Sequence, residues 1–316
     1  MTDSKITWLA VVNPYAGSGV TMHQWQKVKP EFECCGIDYE ERLTTDFGHA
    51  AKTAYDAARE GWRHFMAVGG DGTAHDVLSG IMKYVDSTVG AKVSDFFLSV
   101  IPIGSGNDWI KSHGIPKDPL KVIELIKKGS FKKQDVVRIT QECEKESSYM
   151  LNIGGIGLDA EVCNTVNRKK ALGRKGKLLY VGALISNIIT KKANALEVKV
   201  DGKSVFKGKA LSVAFGIGKY CGGGMRQCPE AVLDDGLLDY TIVPTKNLHY
   251  TVLKIWKVFT ADVLKVKTLC CGRGKVLEVT PLSENKDIVE SDGEIVAGVP
   301  VRLEVIGDQL NALSLK

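Results

Sequence analysis

One stretch of this chain places glycines and an acid where a phosphate could bind. It is residues 68–76, with the sequence VGGDGTAHD. The apolar run Phe65–Val68 predicts the end of a buried strand, and apolar residues at helical spacing predict a helix over Ala74–Val85. Glycines at a strand-to-helix turn leave backbone N–H groups bare, and the amides at a helix N-terminus favour an anion. This turn is therefore a candidate phosphate site.

Asp71 changes the chemistry expected of this turn. A carboxylate beside a phosphate repels it unless a divalent cation, or a proton to be transferred, lies between them. The pattern therefore predicts metal-assisted phosphoryl transfer rather than simple phosphate binding. For this short stretch taken alone, an ordinary tight turn with a solvated Asp71 is the alternative.

Two further glycine turns and one threonine also follow predicted strands. Residues 13–19 (NPYAGSG) and 103–109 (IGSGNDW) each end an apolar run, and Thr44 follows the strand predicted over Tyr39–Leu43. In a parallel sheet covered by helices, ligands collect at the carboxyl ends of the strands. The three turns and Thr44 are therefore expected to converge on one crevice.

The chain is predicted to form two domains of different architecture. Over residues 1–132, predicted strands alternate with helices, which indicates a Rossmann-like parallel α/β domain. Its predicted helices are Met22–Phe32, Gly48–Gly61, Ala74–Val85 and Leu120–Lys128. Over 133–316, short alternating runs separated by turns predict an antiparallel β-sandwich. Residues Asp308–Lys316 either end this β domain or pack back on the first.

Composition and charge favour a globular cytoplasmic protein. The chain has 44% hydrophobic and 25% charged residues, a balance typical of globular domains. Its N-terminus lacks a signal-peptide pattern, and the longest nearly apolar run, Leu178–Ile189, is too short to span a bilayer. The eight cysteines form no paired CxxC pattern, which favours reduced thiols over zinc sites. A net charge of +5 permits contact with an anionic surface, and no basic stripe with interleaved aromatics predicts nucleic-acid binding.

Five motifs, in order along the chain, resemble a known family. They are Asn13-Pro14 with Gly17-Ser18-Gly19, Gly69-Gly70-Asp71-Gly72-Thr73, Gly104-Ser105-Gly106-Asn107-Asp108, Asp235-Gly236-Leu237-Leu238-Asp239 and Asp292-Gly293-Glu294. As a set over residues 6–306, they closely resemble the lipid-kinase superfamily of diacylglycerol, sphingosine and ceramide kinases. The bacterial soluble diacylglycerol-kinase-like members are the most similar. The second of these motifs alone is shared with NAD kinases and phosphofructokinases.

This resemblance implies that ATP binds in a cleft between the two domains. The residues that match the family's nucleotide-binding positions are Asn13, Thr44, Gly69, Gly70, Asp71, Gly72, Thr73, Ala74, His75 and Ser105. Ser105 replaces a threonine of many bacterial relatives and keeps the hydroxyl. His75 stands where bacterial diacylglycerol kinases usually have Asn and sphingosine kinases often have His, which leaves the acceptor lipid open. A helix residue bonded only locally is the alternative for His75.

Two acids match positions that the family uses for catalysis. Glu294 matches the glutamate assigned as proton acceptor in bacterial members, and Asp71 matches an aspartate often given that role in sphingosine kinases. Phosphoryl transfer depends on positioning and charge neutralisation more than on strong proton abstraction. We therefore assign Asp71 mainly to Mg²⁺–ATP and Glu294 to the lipid hydroxyl. The reverse assignment, or a solvent-exposed turn residue at 294, is the alternative.

The resemblance also implies a structural Mg²⁺ in the second domain. The carboxylate of Asp235 and the carbonyls of Val232 and Leu237 match a loop in which bacterial members hold the ion. Without the resemblance, Asp235-Gly236 would be interpreted as a plain hairpin turn.

A basic cluster at Arg168–Lys177 offers a contact with a membrane surface. It carries six cations and is followed by the apolar run Leu178–Ile185. Near an anionic leaflet each cation contributes roughly 1 kcal/mol, enough together for peripheral binding. The apolar run lacks a clean polar face, which favours burial in the core with the basic residues alone facing lipid or phosphate. The sequence also leaves open whether the protein forms a homodimer.

The sequence thus predicts an ATP- and Mg²⁺-dependent lipid kinase. Diacylglycerol, giving phosphatidic acid, is the first expected acceptor, and a sphingoid or ceramide-like lipid is the second. The alternatives are a kinase for a soluble acceptor, related to NAD kinase, and a catalytically idle nucleotide-sensing module at membranes. The NAD kinase family does not share the motifs at Asn13, Gly104–Asp108 and Asp235–Leu237 as a set. Intact Asp71 and Glu294 argue against an idle nucleotide sensor.

Overall fold

The computed structural model divides the chain into two compact units. It describes residues 6–46, 48–103, 107–141, 146–171, 182–184, 186–187, 193–245, 257, 262–284 and 287–315. The first unit is Met1–Gln134 together with Asp308–Lys316, and the second is Asp135–Gly307. The sequence left open whether the C-terminal residues belong to the first or the second domain; in the structure they belong to the first unit.

Strands and helices alternate through the first unit. In chain order its elements are β1 (Thr7–Val12), α1 (Ala16–Gly19), α2 (Thr21–Cys35), β2 (Asp38–Leu43), α3 (His49–Glu60), β3 (His64–Gly69), α4 (Asp71–Ser87), a 3-10 helix (Val93–Asp95), β4 (Phe97–Pro102), α5 (Asp108–Ser112), α6 (Pro119–Lys127), β5 (Phe131–Gln134) and a C-terminal strand (Leu310–Leu313). All four helices expected from the sequence are present, although α4 begins at Asp71 rather than Ala74.

The six strands of the first unit form one sheet. Its order is β2, β1, β3, β4, the C-terminal strand and β5. The first five strands are parallel, and β5 is antiparallel to its neighbour. Residues Trp8–Val12 and Phe65–Gly69 are buried throughout, as expected of parallel strands covered on both faces. The predicted parallel α/β architecture is therefore confirmed, with one antiparallel edge strand added.

Local sequence explains where the helices of this unit begin and end. The Asp118 side chain accepts a hydrogen bond from the N–H of Leu120 at 3.0 Å and so caps α6. Helix α3 ends at Gly61, whose φ of 104° is in the left-handed region that favours glycine. Gly70 is extended, with φ −115° and ψ −164°, so α4 starts immediately after it. Asp71 is therefore the first residue of α4.

The second unit consists mainly of strands. Its elements are β6 (Val137–Gln141), β7 (Ser148–Met150), β8 (Ile153–Gly157), α7 (Leu158–Ala171), β9 (Asn194–Val200), β10 (Lys203–Gly216), β11 (Leu238–Pro244), a 3-10 helix (Asp262–Lys265), β12 (Cys270–Gly274), β13 (Val276–Pro281), β14 (Ile288–Ser291), β15 (Glu294–Gly298) and β16 (Val301–Val305). Helix α7, strands β12, β14 and β15, and all of β8 after Ile153 were not predicted from the sequence.

These strands form an eleven-stranded antiparallel sheet. Its main path is β15, β14, β8, β10, β9, β13, β16, β6 and β7, with β11 on β10 and β12 on β11. In β16, buried Val301 and Leu303 alternate with exposed Arg302 and Glu304, the pattern of a strand with one face on the core. The predicted antiparallel β-sandwich class is confirmed. None of the helices in the described ranges is long and apolar enough to cross a membrane.

Candidate active site

Backbone contacts bring the three glycine turns of the first unit together. The N–H of Ile103 donates to the carbonyl of Gly69 at 2.8 Å, and the N–H of Asn13 donates to the carbonyl of Val68 at 3.1 Å. A Cβ placed on Gly17 would lie 2.9 Å from the carbonyl oxygen of Ile103. The ends of β1, β3 and β4 therefore meet at the carboxyl edge of the sheet.

Thr73 explains why position 69 is a glycine. A Cβ on Gly69 would lie 2.3 Å from Thr73 Oγ1 and 3.3 Å from Ala16 Cβ. The buried Thr73 hydroxyl accepts a hydrogen bond from Asn13 Nδ2 at 3.3 Å. Asn13 Oδ1 in turn accepts one from the N–H of Tyr15 at 3.0 Å. The asparagine predicted to contact the nucleotide thus links the first turn to the central one.

Asp71 uses both carboxylate oxygens to hold the third turn. Its Oδ2 accepts the N–H of Asp108 at 2.9 Å, and its Oδ1 accepts the N–H of Trp109 at 3.1 Å. Both donors lie at the start of α5, where N–H groups lack partners within the helix. A carboxylate can accept about four hydrogen bonds, so these two bonds do not by themselves exclude a position beside a cation. Asp71 is therefore a brace between two turns as well as a candidate for the nucleotide site.

Thr44 has a buried hydroxyl for which the described residues offer no hydrogen-bond partner. Its N–H donates to the carbonyl of Val12 at 2.9 Å, which fixes the end of β2 beside β1. Its Oγ1 has no partner in the part of the chain that the structure describes. Leaving a buried polar group unpaired costs about 1–3 kcal/mol. A bound ligand with a polar atom at this position would remove that cost.

The other residues predicted to bind nucleotide lie around the start of α4. They are Gly70, Gly72, Ala74 and His75. His75 is buried in the second turn of α4. Burial raises the pKa of the neighbouring Asp76, and the charge of His75 opposes that shift. Ser105, with the glycines on either side of it, lies outside the described residues.

Asp292 and Glu294 have different surroundings in the second unit. Asp292 adopts a left-handed φ of 53°, and its carboxylate accepts three backbone N–H groups. The donors are Leu151 at 2.7 Å, Asn152 at 2.9 Å and Ile153 at 3.2 Å. Glu294 follows at the start of β15 and is half-buried. Asp292 is therefore a structural brace, and the catalytic role predicted for Glu294 stays a prediction.

The residue before Glu294, Gly293, is held at both its N–H and its carbonyl. The N–H of Gly293 donates to Glu290 Oε2 at 3.1 Å. Its carbonyl accepts hydrogen bonds from Asn167 Nδ2 at 2.8 Å and from Cys163 Sγ at 2.9 Å. Cys163 and Asn167 are one turn apart on α7. Helix α7 and strand β14 together fix the backbone that carries Glu294.

Two acids that the sequence analysis missed, Asp159 and Glu290, lie near this turn. Asp159 accepts hydrogen bonds from Ser212 Oγ and, at 2.7 Å, from Gln227 Nε2. Burial raises the pKa of Asp159, and these two hydrogen bonds lower it. A Cβ on Gly155 would lie 2.5 Å from Asp159 Cβ. The glycines of β8 are the sequence signal that could have indicated that another side chain lies close to this strand.

Glu290 shares a negatively charged environment with the other acids of this region. Burial raises the pKa of Glu290 well above its ordinary value, and the charges of Asp159, Asp292 and Glu294 raise it further. The hydrogen bond from Gly293 lowers it. The region around the β14–β15 turn therefore favours the protonated form of at least one carboxyl group.

The loop before β11 was predicted to hold a structural Mg²⁺ through Asp235, Val232 and Leu237. In the structure Asp235 Oδ1 accepts the N–H of Leu237 at 3.1 Å, and Asp235 Oδ2 lies 3.5 Å from Arg273 Nη1. A guanidinium so close to the loop's carboxylate weakens its attraction for a further cation. Over the described ranges, no three His, Cys, Asp or Glu side chains are placed to hold a metal ion. A site of one carboxylate and two backbone carbonyls is not covered by that observation, so the Mg²⁺ predicted here stays a prediction, with a guanidinium beside its one side-chain ligand.

The predicted basic cluster is only partly described. Arg168 is exposed and Lys169 is half-buried near the end of α7. Arg174, Lys175 and Lys177 lie outside the described residues, as does most of the apolar run after them. Membrane contact through this cluster stays a prediction.

Comparison with known protein families matches both halves of the chain. Residues 7–139 match the "Diacylglycerol kinase catalytic domain", and residues 153–314 match the "YegS C-terminal NAD kinase beta sandwich-like domain". The boundary between the two matches falls where the architecture changes from parallel α/β to antiparallel β. The second match alone covers just over half of the chain.

Curated relatives carry related names. "Probable lipid kinase YegS-like" of Stenotrophomonas maltophilia is 30% identical over 272 residues, which are 86% of this chain and 85% of that protein. The protein of the same name from Xanthomonas campestris is 29% identical over 213 residues. That match spans 67% of this chain and 66% of the relative, just under two thirds of its length.

A solved structure supports the fold. The crystal structure of a diacylglycerol kinase from Bacillus anthracis superposes with a TM-score of 0.77 at 24% identity, covering 99% of this chain and 98% of that one. At that identity the likeness concerns the fold alone. The two domain matches and the Stenotrophomonas relative go further. This chain therefore belongs to the YegS-like family, which joins a diacylglycerol kinase catalytic domain to a YegS-type C-terminal domain.

Proposed function

We propose that this protein is an ATP-dependent lipid kinase that phosphorylates a hydroxyl of a membrane lipid, with diacylglycerol as the first acceptor and phosphatidic acid as the product. One observation carries most of the proposal. Asn13, Gly69 and Asp71 join three glycine turns at the carboxyl edge of one parallel sheet. Such an edge, rich in backbone N–H donors, is suited to a polyphosphate.

In this proposal the first unit binds and orients the nucleotide. The turn amides and the first turn of α4 would face the phosphate oxygens, and the unpaired Thr44 hydroxyl would meet a polar atom of the ligand. ATP would enter with Mg²⁺, which neutralises charge on the transferred phosphate. Asp71 would lie beside that ion while its carboxylate continues to hold the start of α5.

Glu294 would accept the proton of the lipid hydroxyl. The hydroxyl oxygen forms a bond to the γ-phosphorus, and the bond from that phosphorus to the β,γ-bridging oxygen breaks. The bridging oxygen leaves with the electron pair as part of ADP. The hydrogen bonds on Gly293 would help to hold this base in position, and placing a general base correctly contributes about 10²–10⁴-fold to a rate.

The acceptor has to be reached at a bilayer. We propose peripheral association, in line with the net charge of +5 and the lack of a spanning helix in the described ranges. The names of the relatives, which include the words "lipid kinase", support an acceptor of this class.

A soluble acceptor is the second candidate. It is favoured by one specific finding, namely that the model matching residues 153–314 is described as NAD kinase beta sandwich-like. An enzyme of this second kind would place a nucleotide hydroxyl, rather than a lipid hydroxyl, beside Glu294.

A radiolabelled-phosphate assay separates these candidates. The protein is incubated with [γ-³²P]ATP, Mg²⁺ and, in separate reactions, diacylglycerol, sphingosine or ceramide in mixed micelles, or NAD in buffer. We expect label in the organic phase with diacylglycerol and none after Glu294→Gln. Label on NAD alone would support the soluble acceptor. Label on no acceptor, with ATP still bound in calorimetry, would overturn the kinase proposal in favour of a nucleotide sensor.

A further inference from the structure

Arg273 contacts three acceptors around the loop before β11. Its Nη1 lies 3.5 Å from Asp235 Oδ2, and its Nη2 lies 3.0 Å from Asp239 Oδ1. Nη2 also donates to the carbonyl oxygen of Glu230 at 3.2 Å. Because β12 pairs with β11 so that Arg273 is directly opposite Asp239, the register of the sheet fixes this guanidinium beside the loop.

Two carboxylates at this loop, Asp235 and Asp239, share that one side chain. Asp239 is 7% exposed; burial raises the pKa of its carboxyl, and Arg273 lowers it. Asp235 divides its two oxygens between Arg273 and the N–H of Leu237. A guanidinium is planar, always charged and carries five donors, so it can serve two carboxylates and a carbonyl at once.

We propose that Arg273 is the resident cation of this loop and takes the place of the structural Mg²⁺ that family resemblance implies at Asp235. The single carboxylate of residues 232–237 that would ligate the ion already faces the guanidinium. A divalent ion bound there would lie within a few ångströms of a like charge, which repels it strongly. This inference is independent of the proposed kinase activity.

The first test is the effect of chelation on the wild-type protein without nucleotide. We expect EDTA to leave the thermal unfolding midpoint unchanged, added Mg²⁺ to leave it unchanged, and elemental analysis to find no bound divalent metal. A midpoint that falls with EDTA and returns with Mg²⁺, together with one ion per chain that is lost in Asp235→Asn, would overturn the proposal. This test needs no arginine variant.

The second test removes the guanidinium. Arg273→Gln should lower the unfolding midpoint by about 2–6 °C. Since Asp235 and Asp239 then lose their cation, added Mg²⁺ should raise the midpoint of the variant although it does not raise that of the wild type. A variant midpoint that ignores Mg²⁺ and equals that of the wild type would contradict the role of Arg273.

Arg302 provides a matched control in the same sheet. It also contacts two carboxylates, Glu278 at 2.8 Å and Glu304 at 3.2 Å, but on an exposed face rather than at a loop. Arg302→Gln should lower the midpoint less, because the side chains of its partners Glu278 and Glu304 are 37% and 48% exposed, against 11% for Asp239, and exposed ion pairs contribute little. It should not create a response to Mg²⁺. An equal Mg²⁺ response in both variants would mean that any freed carboxylate pair suffices, which would overturn the assignment of a specific loop site.

A separate surface of the second unit carries unpaired positive charge. A groove of about 460 Å³ is lined by Lys207, Lys209 and Lys267, together with Thr245 and Thr268. Lys207 and Lys209 are two positions apart on β10 and therefore point from the same face of the sheet. All three lysines are exposed, and none forms an ion pair with a described residue.

We infer that this lysine groove docks the protein on an anionic membrane surface. The occupant follows from charge complementarity, since clustered lysines attract the phosphates of an anionic leaflet, and the groove adds threonine side chains. The inference rests on the proposed function only in placing the acceptor in a bilayer. Docking is measured without turnover, so its failure would leave the phosphate-transfer assay untouched.

Vesicle sedimentation tests the groove. The protein is mixed with phosphatidylcholine vesicles that contain or lack phosphatidylglycerol. The triple variant Lys207→Gln, Lys209→Gln, Lys267→Gln should bind the anionic vesicles roughly 100-fold more weakly at low salt. The control Lys121→Gln, Lys127→Gln, Lys128→Gln removes the same charge from α6 and the residue that follows it, and should bind nearly as well as the wild type. Equal binding by the groove variant and this control would overturn the inference.

Discussion

The two glycine-turn regions of the molecule use an aspartate for the same structural purpose and differ in the polar groups that surround it. In the first unit Asp71 accepts two backbone N–H groups, and in the second Asp292 accepts three. Each aspartate therefore braces its own unit. The groups around each aspartate differ. The first region has backbone N–H donors and the Thr44 hydroxyl, which has no partner among the described residues, whereas the second has several carboxyl groups, including Glu294. The chemistry of an Asp-Gly turn is thus decided by its neighbours rather than by the motif.

The largest effect is expected from filling the space at the central turn of the first region. In Gly69→Ala the new Cβ would overlap Thr73 Oγ1 at 2.3 Å, so the turn must shift. We expect the free energy of unfolding to fall by about 3 kcal/mol and ATP binding to be lost. Gly307→Ala is the control because a Cβ there meets nothing within 4 Å. Equal denaturant midpoints for the two variants would show that the turn is not tightly packed.

The brace in the second region is tested by Asp292→Asn. One oxygen then becomes an NH₂ group that opposes a backbone N–H, so we expect unfolding to require about 2 kcal/mol less and kcat to fall because Glu294 moves. Asp201 is a matched control, since it also has a left-handed φ, 49°, and accepts the N–H groups of Lys275 and Val276 at 3.0 Å. Asp201 accepts both N–H groups with Oδ1, which asparagine keeps, so Asp201→Asn should leave stability nearly unchanged and kcat unchanged. An unchanged kcat in Asp292→Asn would show that Asp292 does not position Glu294.

The clustered carboxyl groups of the second region predict a pH-dependent stability. The pKa of Glu290 is raised well above its ordinary value of 4.5, so the folded state binds more protons than the unfolded chain. Stability should therefore fall as pH rises from about 4.5 through the raised pKa, by up to ~1.4 kcal/mol per pH unit. Glu290→Gln should flatten this slope in urea titrations at several pH values. Glu278→Gln, on β13, should keep the wild-type slope. If Glu290→Gln also kept that slope, the raised pKa of Glu290 would be contradicted.

The smallest effect is expected at Thr44. Thr44→Val keeps the shape but removes the unpaired hydroxyl, so stability should be unchanged or slightly higher, while the Kd for ATP rises about 5–10-fold. Ser99 is the control because its Oγ is also buried in the first unit with no partner among the described residues. Ser99→Ala should leave ATP affinity unchanged. Calorimetry showing equal ATP affinity for Thr44→Val and wild type would remove Thr44 from the nucleotide site.

Much of the fold could be predicted because local signals in the sequence are strong. Apolar runs and helical spacing located β1, β3, β4 and the four helices of the first unit. By contrast, β5 reads Phe-Lys-Lys-Gln and carries no apolar run. Helix α7 buries Leu158, Val162 and Val166 at every fourth position within a largely polar segment, a weak signal. Elements with a weak local signal were therefore missed.

The candidate site was predictable in its residue types but not in its contacts. Glycine turns and acids are visible in the sequence, and so is the resemblance they carry. The partners of Asp71 lie 37 and 38 residues further along the chain. The partner of Asp159 at Ser212 is 53 residues away. Burial of Glu290 likewise depends on which strands pair. These features follow from tertiary structure, which local patterns do not specify.

The division of labour between the two regions is tested most directly by Glu294→Gln. Turnover of diacylglycerol and the Kd for ATP are measured on the same preparation. The account predicts that kcat falls at least 10²-fold while the Kd for ATP stays at the wild-type value. Wild-type turnover in Glu294→Gln, with turnover lost in Asp71→Asn, would contradict it and assign the proton to Asp71.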